Sequence, residues 1–147
     1  RWQYLCTTKK NIMDSLTNTI FPQGDLVSAE YFTGKAWVKL LVPKDDIFNS
    51  VIGNVVFEAG ARNNWYTHPG GQILIVTDGM GYYQEKGKPI QLLKKGDVIT
   101  IPPDLVHWHG ASPDSEFTHI AISTNTQKGV VDWLQPVTDE EYNAYNK

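Results

Sequence analysis

From residue 36 onward the chain is written in short β-prone runs, each closed by glycine, proline or asparagine, and that rhythm leaves few architectures open. The runs are "AWVKLLV" (36–42), "SVIGNVVFEA" (50–59), "QILIVTDGMGYYQEK" (72–86), "PIQLL" (89–93), "DVITIP" (97–102) and "FTHIAIS" (117–123). They are rich in the branched and aromatic side chains that suit a pleated, half-buried surface. Their connectors, "GARNN", "PGG", "EKGKP", "KKGD" and "PPD", carry turn chemistry. Many short strands joined this way predict an antiparallel sandwich or a closed barrel. The end of the chain departs from the pattern. In "TDEEYNAY", Thr138 is followed three residues later by Glu141, with acidic residues between them. That is a capping box and predicts a short C-terminal helix packed outside the β-domain. Residues 9–20, "KKNIMDSLTNTI", admit a short N-terminal helix, although their β-branched residues and asparagines favour it weakly.

Length and charge narrow the class. A chain of 147 residues is most simply one domain with a real core. Its division is expected to be a 1–35 extension packing on or swapping between barrels, a 36–125 barrel and a 126–147 C-terminal segment. A net charge of −3, with both signs scattered, provides no basic footprint for nucleic acid, and no helical DNA-binding module fits in the remainder. Runs such as "LLV" and "ILIV" are too short to cross a membrane. The single cysteine, Cys6, permits no internal disulfide and leaves the redox compartment undetermined. The opening "RWQYLCTTKK" has neither Met nor the apolar stretch of a signal peptide. Either a leader was removed or the sequence simply starts there, and the cytoplasm is the default expectation. The β-prone residues of 21–42 form a possible edge that would pair with a second copy, so a homodimer is expected.

All four histidines, His68, His107, His109 and His119, fall in the β-rich part. Extended chain alternates its side chains. Tyr66 and His68 therefore share one face, His107 and His109 share another, and His119 sides with Phe117 and Ala121. Imidazole is the commonest metal ligand and the usual acid or base near neutral pH. A lone strand histidine is more often a hydrogen-bonded structural residue. Three beside Gly/Pro turns instead suggest a shared polar site.

The stretch "GARNNWYTHPGGQ" (60–72) followed by Gly79 resembles the first cupin motif, in which Gly, His-x-His, Glu and Gly recur at this spacing. "GDVITIPPDLVH" (96–107) is similar to the second, with Asp104 where that motif has Gly and Ala111 where it has Asn. The two motifs cover 60–111, and the flanking strand pattern extends the likeness over most of the chain. The resemblance implies an all-β fold, the double-stranded β-helix or jelly-roll barrel. The nearer resemblance is to small single-domain cupins carrying "NWHTHPGGQ" and "HWHGASPD", a subgroup that includes manganese-dependent hydroxynitrile lyases. It implies a metal held by Tyr66, His68, Gln72 and His107, with His109 and His119 as candidate acid/base residues. A divalent transition metal, Mn, Fe, Zn or Ni, would be the cofactor, and a small organic molecule the ligand.

Two of those positions depart from the general motif. Gln72 replaces Glu but is usual in the subgroup; a neutral amide oxygen leaves the ion more electrophilic, which suits a Lewis acid. Tyr66 replaces an imidazole. A phenol with a pKa of about 10 must lose its proton to bind a metal well. It favours harder ions such as Fe(III). Two functions follow. One is a metal-dependent enzyme with a lyase-type or isomerase-type step, with oxygen-dependent cleavage by iron as a branch of it. The other is a metal-free cupin that holds a small ligand, its metal site disabled by Tyr66. Elsewhere, Pro102 and Pro103 are expected to set the approach of His107. Trp65 and Trp108 are expected in the barrel wall or an interface. Arg62 is expected in a surface ion pair or near a substrate carboxylate.

Overall fold

The computed structural model describes residues 20–145; Cys6 and the candidate helix at 9–20, apart from Ile20, lie outside them. The chain runs β1 (Asp25–Leu26), β2 (Phe32–Thr33), β3 (Ala36–Val42), β4 (Val51–Phe57), β5 (Arg62–Asn63) and β6 (Tyr66–Thr67). It continues through β7 (Gln72–Glu85), β8 (Gln91–Lys94), β9 (Val98–Ile101), β10 (His107–Ala111), β11 (Phe117–Ser123) and β12 (Asp132–Trp133) to one short helix, α1 (Asp139–Tyr142). Neighbours in the curled sheet follow the order β1-β3-β4-β11-β7-β10-β5-β2, with β8 and β9 also on β7 and β12 on β6. Every strand pair is antiparallel. The strand rhythm predicted an antiparallel sandwich or closed barrel, and the chain has the jelly-roll form that the resemblance implied.

The long strand β7 joins the two halves. Its first part pairs with β11 and β9, its second with β10 and β8. A register shift between Thr118 and His119 marks the corner. Gly79 stands there at φ 73°, and a Cβ on it would run into the Glu116 carbonyl. Left-handed strain and a backbone clash act together, so Gly79→Ala is expected to cost roughly 3 kcal/mol or more. Urea unfolding measures this, and a stability within about 0.5 kcal/mol of the parent would contradict the bend.

The apolar interior gathers Val55, Phe57, Leu74, Val76, Ile101 and Phe117, all buried. A second cluster lies around Trp65 and Trp108, whose rings meet edge to face at 6.5 Å, with Tyr82, Val137 and Tyr142. Here α1 docks. Its capping box is complete: Glu141 N–H donates to Thr138 Oγ1 at 3.1 Å, and Thr138 N–H donates to Glu141 Oε1 at 3.0 Å. Tyr142 O–H donates to the Ala111 carbonyl at 2.6 Å. Arg62 is buried under the helix rather than at the surface. It donates to the Val137 carbonyl, pairs with Asp139 at 2.7 Å and lies over the Tyr142 ring. The segment before residue 36 contributes β1, paired with β3, and β2, paired with β5. No helix among the described residues is long and apolar enough to cross a membrane.

Candidate functional site

The site lies where β10, β11, β6 and the start of β7 converge on the interior. β10 presents His107 opposite Tyr66 and Glu85, and His109 opposite Tyr83. Gly110, the next residue, pairs with Arg62 so closely that a Cβ would lie 2.6 Å from the Arg62 Cα. A side chain at 110 would push β5 away and take Asn63 with it. Before β10, the turn through Pro102 and Pro103 closes with Leu105 N–H donating to the Pro102 carbonyl at 3.4 Å. Asp104 adopts φ 63° there, a left-handed conformation at the position where the second motif carries glycine. Short Asp side chains tolerate that region.

His68 and His107 are held alike. His107 Nδ1–H donates to the Leu105 carbonyl at 2.7 Å, and His68 Nδ1–H donates to the Val130 carbonyl. Each bond fixes the tautomer and leaves Nε2 as a bare lone pair. Both Nε2 atoms are buried without a partner. The two rings lie 5.7 Å apart, with the Tyr66 ring 4.8 Å from His68 and 4.2 Å from His107. Burial lowers the pKa of both histidines, His107 to about 4. They are neutral at pH 7, the form that binds metal.

Tyr66 is engaged differently. Its hydroxyl donates to Gln72 Oε1 at 3.1 Å and lies 2.7 Å from His109 Nδ1. With the phenol proton on Gln72, His109 Nδ1–H donates to the phenol oxygen. Burial raises the Tyr66 pKa well above its ordinary value, so the buried phenol keeps its proton. Asn63, not singled out in the sequence, braces His109: its Oδ1 accepts from the His109 backbone N–H at 3.0 Å. The ring of His109 meets that of His119 edge to face at 4.7 Å. His119 is fully buried, lies face to face with Phe57, and has no partner at either ring nitrogen. Burial lowers His109 well below the usual histidine range and His119 to about 4.

These groups border a cavity of about 140 Å³. Asn63, Tyr66, His68, Gln72, His109 and His119 line one side, while Phe32, Val55, Phe57, Val130, Val131 and Trp133 contribute apolar wall. Five of the six residues proposed from sequence therefore meet at the cavity, and the sixth, His107, packs at a tilt against the Tyr66 ring without lining it. Among the described residues, no three of His, Cys, Asp and Glu are arranged to hold an ion. Any metal here would need Gln72 or Tyr66 besides two imidazoles. The two orphaned Nε2 atoms fit a cation. The protonated phenol fits it less well. Trp133 and the Val130 carbonyl also escaped the sequence reading, because a two-residue strand such as β12 has no periodicity to detect.

Comparison with known proteins agrees with this fold. Residues 53–122 match the family described as Cupin domain. An (R)-mandelonitrile lyase of Granulicella tundricola is 42% identical over 114 residues, covering 78% of this chain and 87% of that protein. The crystal structure of a cupin-like protein from Thermotoga maritima superposes with a TM-score of 0.85 at 55% identity, covering 88% of this chain and 98% of that one. A DMSP lyase from Ruegeria pomeroyi shares the fold at 17% identity, with a TM-score of 0.61 over 82% of this chain and 62% of that one. The chain belongs to the cupin family.

Proposed function

We propose that this chain is a small-molecule lyase acting in the buried cavity, with a divalent metal held by His68, His107 and Gln72. The observation that carries the metal is the pair of unpartnered Nε2 atoms. A buried lone pair without a donor is costly, and two backbone carbonyls hold both imidazoles in the tautomer that leaves it bare. When bound, such an ion would act as a Lewis acid toward a substrate oxygen.

The lyase reading draws on the likeness to the mandelonitrile lyase. The corresponding reaction is cyanohydrin cleavage. The hydroxyl loses its proton, the C–C bond to the nitrile carbon breaks, and an aldehyde remains while cyanide leaves and takes up a proton. The chain's own groups suit the proton's part of this. His119 is neutral at pH 7, borders the cavity and has neither ring nitrogen hydrogen-bonded, so its bare nitrogen can take up a proton and later return it. His109, tied through its ring to Tyr66 and through its backbone N–H to Asn63, holds the phenol as a fixed hydrogen-bonding wall. The apolar side excludes water from the leaving cyanide.

A second reading has one observation in its favour. The Tyr66 hydroxyl already satisfies Gln72 and His109, as it would in a metal-free cupin that only binds a small ligand. Elemental analysis of untagged protein, purified without chelators, together with benzaldehyde release from (R)-mandelonitrile, decides between them. Near-stoichiometric Mn, Fe, Zn or Ni is expected, with release falling at least about a hundredfold in His119→Ala. Protein free of metal, with no release above buffer, would move the function to the binding reading.

A further inference from the structure

The half-buried part of the cavity's apolar wall includes Phe32, Val130, Val131 and Trp133, and the indole is its largest ring. Trp133, on β12, stacks on Tyr66 at 5.0 Å and 25° and on Tyr31 at 4.8 Å and 14°, and meets Phe32 edge-on at 5.7 Å. Two segments remote in sequence, one with Tyr31 and Phe32 and one with Tyr66, thus converge on the indole, which lines the cavity and is itself only half-buried. The strand carrying it is held independently of the ring. Leu134 N–H donates to the Trp65 carbonyl at 2.8 Å, and Trp65 N–H donates to the Gln135 carbonyl at 3.0 Å. The ring can therefore change while its backbone stays paired.

The space behind it is about 140 Å³. An apolar cavity of about 150 Å³ accepts benzene, so this one has room for a single ring with a small polar substituent. No Lys, Arg, Asp or Glu lines it, so its walls are apolar apart from the imidazoles, amides and phenol already described. The geometry points to Trp133 as the specificity-determining residue of the cavity, a gate that restricts its ligands to molecules of one ring. This rests on the cavity being the ligand site of the proposed function. It adds the size limit and the residue that imposes it.

Calorimetric titration of the purified chain with benzyl alcohol and with 1-naphthalenemethanol tests the gate without requiring turnover. The parent is expected to bind the one-ring alcohol at least about tenfold more tightly than the two-ring one. Trp133→Ala should reverse that order, and Trp133→Phe should narrow the margin without reversing it. A purely structural tryptophan would lower the melting temperature and leave the order of preference alone. Should Trp133→Ala fail to fold, the Phe variant decides, since an unchanged margin there overturns the gate. So does a parent that prefers the larger alcohol or binds neither. A swap of preference in a chain that neither holds metal nor cleaves mandelonitrile keeps the gate and removes the enzyme. Cleavage with an unchanged preference removes the gate alone.

Discussion

Metal-stripped protein is expected to unfold as the pH falls from about 6.5 toward 4, well above the range in which carboxylates usually drive acid unfolding. In the folded chain burial lowers all four histidines, His107 and His119 to about 4. In the unfolded chain an imidazole titrates near 6.5. Across that window the unfolded chain binds protons that the folded one refuses, so protonation pulls the equilibrium toward unfolding. The stability these neutral histidines permit is whole above about pH 6.5 and is lost as pH falls to the folded values. For His107 and His119 the loss is about 3 kcal/mol each, and His68 and His109 add to it in the same direction. A domain of this size has roughly 5–15 kcal/mol in total, so most of it is at stake. Thermal melts at half-unit pH steps measure the effect. His119→Gln should flatten the dependence by about one proton, close to 1.4 kcal/mol per pH unit. A melting temperature unchanged from pH 7 to 4.5 would show that the histidines are hydrated and that the site is open.

The same four residues show how far sequence reasoning reaches. Alternation in "VHWHG" and "FTHIAIS" depends only on a continuous extended backbone, and β10 and β11 provide one; that the rings of His109 and His119 meet depends on the fold that brings the two strands together. The capping box at Thr138 is equally local, and both of its hydrogen bonds form. Arg62 was harder, because its burial depends on where α1 docks, seventy-odd residues later in the chain. Trp133 was invisible for a related reason. Its importance comes from the rings of Tyr31, Phe32 and Tyr66, which only the tertiary fold brings to it. The Tyr66 hydroxyl lies between these extremes. Parity placed it beside His68, but whether its proton faces a metal or a neighbour depends on Gln72 and His109, supplied by β7 and β10.

Replacing that phenol should produce the largest gain in metal binding available to this chain. Tyr66→His adds a third imidazole beside two whose Nε2 atoms are already bare, making a three-histidine and one-amide set. Affinity for Zn(II) or Mn(II) is expected to rise at least about a hundredfold, read by competition with a chromophoric chelator. Tyr66→Phe separates ligand from neighbour. If the protonated phenol only hydrogen-bonds Gln72 and His109, losing its oxygen leaves metal affinity within about threefold of the parent and frees Gln72 Oε1 as a donor to the ion. The cost then falls on folding: about 1–3 kcal/mol for polar atoms left without their partner in a closed interior. If the phenol binds the ion as phenolate, Tyr66→Phe loses the metal instead, and an Fe(III)-loaded parent shows a charge-transfer band that the variant lacks. Loss of metal in Tyr66→Phe without such a band would leave a water-sharing phenol as the remaining arrangement. Equal affinity in Tyr66→His and the parent would mean that the two bare nitrogens do not converge on one ion, and the metal reading would fall with them.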